Sequence, residues 1–165
     1  MPKGVLIQHD SLVNAAYMTS EVVGLTPEDR ISLVATPGFD ASLWELGLGL
    51  LFGRAIVPVA HAVRDDPWRL KKYYTSLGVT AAFHTPSYLR VSKEIPFEGL
   101  RVLFIGGEAP THNDARCYAG HLALWNAYGP TETTIVVSAE RLSPHPDPDR
   151  PLSVGDQGPC HARTY

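Results

Sequence analysis

The sequence predicts an α/β fold, a mostly parallel sheet with helices on both faces. Two observations carry this. Several short runs, such as Ile31 to Thr36, Ala55 to Ala60 and Leu100 to Ile105, lack a polar face, as strands covered on both sides must. They alternate with segments of helical period, the order that lays helices over a parallel sheet. At 165 residues the chain can bury one full core but not two.

Each element has its own signal. Leu12, Val13, Ala16, Tyr17 and Val23 recur at helical spacing after Asp10-Ser11, and Gly24 stops them. Ile31 to Thr36 is a strand ended by Pro37-Gly38. A helix follows from about Asp40 to Leu51, closed by Gly53, and then a strand from Ala55 to Ala60. Arg64-Asp65-Asp66-Pro67 is a polar turn that starts a third helix, with Trp68, Tyr73 and Leu77 on one side, ended by Gly78.

Val79 to Phe83 is the third strand, and Pro86 opens a short helix to about Lys93. Leu100 to Ile105 is the fourth strand, broken by Gly106-Gly107. Asn113 to Ala119 is a short helix, His121 to Trp125 the fifth strand, and Ile135 to Ser138 a sixth. The stretch from 143 to 165, with Pro144-His145-Pro146-Asp147-Pro148-Asp149, reads as a surface loop and the start of a next segment, after an α/β unit of residues 1–142.

Composition excludes several classes. With 44% hydrophobic and 19% charged residues the chain is globular rather than disordered. A net charge of −3, from 14 basic and 17 acidic residues, carries no footprint for nucleic acid or an acidic membrane surface. Cys117 and Cys160 make no disulfide framework, which with the absence of a signal-peptide pattern predicts a cytoplasmic setting. The seven histidines lack metal-ligand spacing and read as surface or second-layer residues. Leu43 to Val63, interrupted by Glu45, Arg54 and Pro58, is no membrane span.

In a parallel sheet, the turns at the carboxyl ends of the strands line the ligand crevice. That rule collects Pro37 to Asp40, Phe83 to Thr85, Gly106 to Ala109 and Asn126 to Glu132 on one edge. The last is the richest. In Asn126-Ala127-Tyr128-Gly129-Pro130-Thr131-Glu132-Thr133-Thr134, Tyr128 can stack a flat base and Asn126 can hydrogen-bond its edge. Thr131 and Glu132 can then meet a phosphate and its metal ion. A Gly-Pro turn with Thr131 capping the next element fits the same residues.

Asp40 stands at a helix start, where it can cap backbone N–H groups or face the crevice and pair with a cation. Trp44 shares its helix face and would wall the same pocket. Gly106-Gly107-Glu108-Ala109 permits close backbone approach to a ligand, although such pairs are often only turns.

The Asn126 to Thr134 stretch, with its Gly-Pro-Thr-Glu-Thr-Thr, resembles the nucleotide loop of the adenylate-forming enzymes. In that form it is most similar to the amino-acid adenylation domains of nonribosomal peptide synthetases. Phe39-Asp40-Ala41-Ser42-Leu43-Trp44 resembles the motif in which an aspartate holds the substrate α-ammonium. Pro2-Lys3-Gly4-Val5 resembles the end of the family's phosphate loop, and Val154-Gly155 with Arg163-Thr164-Tyr165 the approach to its later motifs. The resemblance spans the chain, which corresponds to a central part of a longer domain, a flavodoxin-like subdomain of the adenylate-forming fold. Most of the phosphate loop and the lysine-bearing C-terminal lid lie outside it, so the chain alone is expected not to turn over.

The resemblance implies activation of an amino acid as aminoacyl-AMP, with ATP and Mg2+ and transfer to a carrier-protein domain. It implies that Gly107, Glu108, Ala109, Asn126, Tyr128 and Thr131 bind nucleotide, that Thr131 and Glu132 are catalytic, and that Glu132 places the metal. It lines the substrate pocket with Asp40, Ala41, Trp44, Phe83, Phe104, Gly106, Ala127, Gly129, Ile135 and Val136. Among these only Asp40 is charged, and an unpaired charge buried there would cost roughly several kcal/mol. The expected side chain is therefore apolar, leucine-like first and phenylalanine second. Phe104, Ile135 and Val136 also fit as ordinary core residues. A binding or exchangeable specificity module, or part of an acyl-CoA ligase, are the alternatives.

Overall fold

The first helix, α1 (His9–Val23), ends at Gly24 as its sequence dictates, and the chain turns into β1 (Arg30–Leu33). These elements come from a computed structural model that describes residues 4–92 and 97–155. Pro2, Lys3, Lys93, Cys160, His161 and Arg163-Thr164-Tyr165 lie outside the described residues.

β1 is shorter than its apolar run because Val34 and Ala35 give their N–H groups to the Glu45 carboxylate instead of a neighbouring strand. Glu45 belongs to α2 (Ala41–Leu50), which leads to β2 (Ala55–Pro58). A short helix not expected from the sequence, α3 (His61–Arg64), precedes α4 (Pro67–Leu77). At the start of α4, Asp66 accepts from the N–H groups of Trp68 and Arg69, and Pro67 fills the first helical position, where no donor is needed.

Then follow β3 (Ala81–His84), α5 (Pro86–Val91), β4 (Val102–Ile105) and α6 (His112–Tyr118). α6 starts on a capping box in which Thr111 and Asp114 satisfy each other's backbone N–H. β5 (Ala123–Tyr128), one 3-10 turn (Thr131–Thr133) and β6 (Ser138–Arg141) complete the sheet.

The strand order is β2-β1-β3-β4-β5-β6, parallel from β2 through β5, with β6 antiparallel to β5. Helices α1 and α2 cover one face through Ala16, Val23, Trp44 and Leu48. Helices α4, α5 and α6 cover the other through Leu70, Tyr74, Leu89, Ala115 and Tyr118. The central β4 is buried at every residue. Each large side chain so placed contributes roughly 1.5–3 kcal/mol, which makes β4 the anchor of the two-sided core.

Four expectations need correction. α4 buries Leu70 and Tyr74, while Trp68 is 62% exposed and Leu77 lies at the rim, because the sheet meets the helix one step round from the predicted side. β5 does not stop at Trp125 but continues through Asn126, Ala127 and Tyr128, paired with Glu140, Ala139 and Ser138. β6 begins at Ser138 rather than Ile135, because 135–137 first fold back over Gly129. His84 is not a surface or second-layer residue: it is buried between the rings of Tyr88 and Phe97, and its Nε2 lies 3.3 Å from the Tyr74 hydroxyl. Among the described residues, no helix is long and apolar enough to cross a membrane.

Candidate functional site

Because β1 to β5 run parallel, the turns that leave their carboxyl ends share one edge of the sheet. Two of these turns touch directly. The Thr131 hydroxyl donates a hydrogen bond of 2.6 Å to Oδ2 of Asp40. Asp40 is the residue before α2, yet its side chain caps no backbone N–H there. Its carboxylate turns instead to the loop after β5, where it accepts from Thr131.

The other two turns close the gap between β3 and β5. At Gly106 an added Cβ would lie 2.6 Å from the carbonyl oxygen of Ala127 and 3.3 Å from the Phe83 ring. The glycine is therefore required by the close approach of the end of β4 to β5, whatever room it leaves for a ligand. Glu108 accepts from the Ser87 hydroxyl, and the Ala109 carbonyl accepts from Arg90, so the turn after β4 is tied to α5.

A cleft of about 540 Å³ opens along this edge. One wall is Gly107, Glu108 and Ala109, and the other is the run from Asn126 to Pro130. Tyr128 is 55% exposed beside it. Asn126 is buried, and its amide Nδ2 donates to the carbonyl of Ser153 at 2.9 Å. The third wall was not foreseen: Pro151, Leu152 and Val154, from the stretch expected to be a surface loop, complete the cleft. His112 helps hold that stretch, with Nε2 at 3.0 Å and 2.8 Å from the carbonyls of Asp147 and Arg150. The proline-rich composition hid this packing, since proline limits strand pairing but not docking against a cleft.

On the other side of Asp40 the predicted pocket residues come together as packed core. Trp44 is 1% exposed and meets Phe104 edge-on at 4.6 Å and Phe83 at 6.0 Å, while its ring N–H donates to Thr19. The space left among these rings is about 10 Å³, room for no more than one water molecule. Ala41, Ala127 and Val136 are buried, and Phe83 and Ile135 are half-buried.

The loop after the Gly-Pro turn is strained. Thr134 and Ile135 have φ of 69° and 72°, and the N–H of Val136 donates to the carbonyl of Thr134 at 2.8 Å, closing a γ-turn on a β-branched residue. The fold-back brings the Ile135 carbonyl oxygen to 2.4 Å from where a Cβ on Gly129 would stand. Gly129 is thus demanded by the loop's own return. Glu132, the residue expected to place a metal ion, is exposed on the 3-10 turn. Among the described residues, no group of three or more His, Cys, Asp or Glu could hold a metal ion.

Glu45 is the buried acid that sequence reasoning passed over. It is 1% exposed, and burial pushes its carboxyl up to about 8, against the N–H groups of Ala35 and Val34 that favour the ionised form. It bolts α2 to the end of β1, at the start of the turn that carries Asp40. Its place directly after Trp44, with no basic residue in α2 to pair with it, was the available signal. Burial also pushes His84 down to about 3, so it is neutral.

Residues 1–164 match the family model described as AMP-binding enzyme. Malformin synthetase mlfA of Aspergillus homomorphus (strain CBS 101889) is 37% identical over 155 residues, which are 93% of this chain and 3% of that protein. Surfactin synthase subunit 1 of Bacillus subtilis (strain 168) is 34% identical over 154 residues, 93% of this chain and 4% of that protein. The chain thus spans a few hundredths of the length of these curated relatives.

Among solved structures, holo-AB3403, a four-domain nonribosomal peptide synthetase bound to AMP and glycine, superposes with a TM-score of 0.78 at 32% identity, over 92% of this chain and 12% of that one. IdnL1 superposes with a TM-score of 0.83 at 25% identity, over 95% of this chain and 34% of that one. The chain belongs to the AMP-binding enzyme family, as part of an adenylation domain like those of the nonribosomal peptide synthetases.

Proposed function

We propose that this chain carries the amino-acid and nucleotide sites of a domain that activates an apolar amino acid with ATP. The substrate carboxylate attacks the α-phosphorus of ATP, the bond to the bridging oxygen breaks, and pyrophosphate leaves; aminoacyl-AMP remains for transfer to a carrier-protein thiol. The observation that supports the reading is the contact between Asp40 and Thr131, which sets the carboxylate proposed for the ammonium beside the loop proposed for the nucleotide.

In this reading Asp40 pairs with the α-ammonium, and Tyr128 stacks the adenine. Asn126, Gly107, Glu108 and Ala109 line its cleft, and Thr131 meets the α-phosphate. Glu132 would hold Mg2+, which commonly uses one or two protein carboxylates, and the ion would offset phosphate charge; among the described residues no group of three or more His, Cys, Asp or Glu could hold it alone. Residues 1–142 form the α/β unit, and 143–165 lead into the next segment. The reaction belongs to the whole protein, with its phosphate loop and lid, and not to these residues alone.

The side chain would enter among Ala41, Trp44, Phe83, Phe104, Gly106, Ala127, Gly129, Ile135 and Val136. The space beside Trp44, Phe83 and Phe104 is about 10 Å³, smaller than a leucine side chain, so in this reading these rings shift to admit it. Amino-acid-dependent pyrophosphate exchange by the full-length protein tests the proposal. Leucine should give the strongest signal, phenylalanine the next, and Asp40→Ala should abolish both. Exchange that survives Asp40→Ala, or that prefers acids without an α-amine, overturns it.

A further inference from the structure

The Thr131 hydroxyl has one proton, and in this structure Asp40 holds it. A carboxylate can only accept, so the 2.6 Å contact fixes the direction of the bond. Phosphate oxygens at neutral pH likewise accept. Two anionic acceptors therefore claim one proton, and Thr131 cannot serve both at once. No lysine, arginine or histidine pairs with Asp40 among the described residues. Nothing else there relieves the carboxylate's hold on the hydroxyl.

An ammonium changes this balance. It brings three donors and a positive charge to the carboxylate, fills its acceptor positions and weakens its pull on the threonine proton. The hydroxyl is then able to rotate about its own Cβ–Oγ bond and donate elsewhere. We propose that Thr131 couples the amino-acid and nucleotide sites: its hydroxyl donates to Asp40 until a primary ammonium neutralises that carboxylate, and donates to a nucleotide phosphate afterwards. The inference rests on the proposed function and adds to it. An amine-bearing ligand and a nucleoside monophosphate bind with positive cooperativity, and by linkage each strengthens the other equally.

The test is calorimetric titration of the full-length protein with AMP, and separately with adenosine, each with and without saturating L-leucinol. Leucinol carries the ammonium but no carboxylate, so it adds no repulsion toward the phosphate. Leucinol is expected to tighten AMP about tenfold, within the usual range for linked sites, and to leave adenosine unchanged. Thr131→Ser should keep the coupling, and Thr131→Val should lose it while still binding both ligands. Equal tightening of adenosine, coupling that persists in Thr131→Val, or no coupling when both ligands bind overturns the proposal. Direct attraction between the ammonium and the phosphate would also favour AMP over adenosine, so the comparison of Thr131→Ser with Thr131→Val decides the matter, and Thr131→Ala replaces Thr131→Val if that variant fails to fold. Failure of AMP or of leucinol to bind at all overturns the proposed function itself, and the coupling falls with it.

Discussion

Glu45 accepts the backbone N–H of Ala35 at 3.0 Å and that of Val34 at 3.1 Å, and so joins α2 to the strand end from which the Asp40 turn departs. Removing the carboxylate leaves two buried donors unpaired, each worth roughly 1–3 kcal/mol. Glu45→Ala should therefore destabilise the chain by about 3 kcal/mol in urea unfolding. Glu45→Gln, which keeps one acceptor oxygen, should cost less than half of that.

The same carboxyl and His84 set opposite limits on stability with pH. Glu45 is raised from 4.5 to about 8, so its contribution is fully present below pH 4.5 and is lost as pH rises toward 8. His84 is lowered from 6.5 to about 3, so its contribution is fully present above pH 6.5 and is lost as pH falls toward 3. Between 4.5 and 6.5 the two slopes cancel. Outside that window stability should fall by about 1.4 kcal/mol per pH unit. Below it Asp29 and Asp114 add to the loss: burial would raise both, but Arg101 and Arg90 hold them below their ordinary value. Denaturant midpoints across pH should give a plateau with two falling limbs, and Glu45→Gln should remove the alkaline one.

Gly129 should not tolerate a methyl group. Its Cβ would stand 2.4 Å from the Ile135 carbonyl oxygen and 2.9 Å from the Val137 nitrogen, which itself donates to the Tyr128 carbonyl at 2.8 Å. Backbone cannot yield as a side chain does, so Gly129→Ala should cost about 3 kcal/mol. At Gly38 nothing lies within 4 Å, and Gly38→Ala should stay within about 0.5 kcal/mol of the parent.

Asn126 holds the third wall of the cleft through Ser153. Asn126→Ala should cost about 1 kcal/mol of local stability and speed amide hydrogen exchange at 152–155 about fivefold, with α4 unchanged. Equal acceleration in α4 would mean that the bond supports the whole fold and not this wall.

Much of the architecture was legible from local pattern. Apolar runs without a polar face named the strands from β1 to β5, and Gly24, Gly53 and Gly78 marked helix ends or turns where they occur. The errors fell where a long-range partner overrode local signals. Val34 and Ala35 read as strand, but Glu45 took their N–H groups. Asn126 to Tyr128 read as loop, but β6 paired with them. The face of α4 was misjudged because Trp68 is apolar yet points away from the sheet.

By itself the sequence determined the α/β class, the edge on which the turns gather and the residue types they bring, because hydrophobic period and turn chemistry act over a few residues. Only the tertiary structure decided which of those residues touch. That Asp40 accepts the hydrogen bond of Thr131, 91 positions away, that Trp44 and Phe104 close the apolar space between them, and that Pro151, Leu152 and Val154 wall the cleft all follow from contacts between distant segments. Such contacts depend on how the layers pack, and no local pattern encodes them.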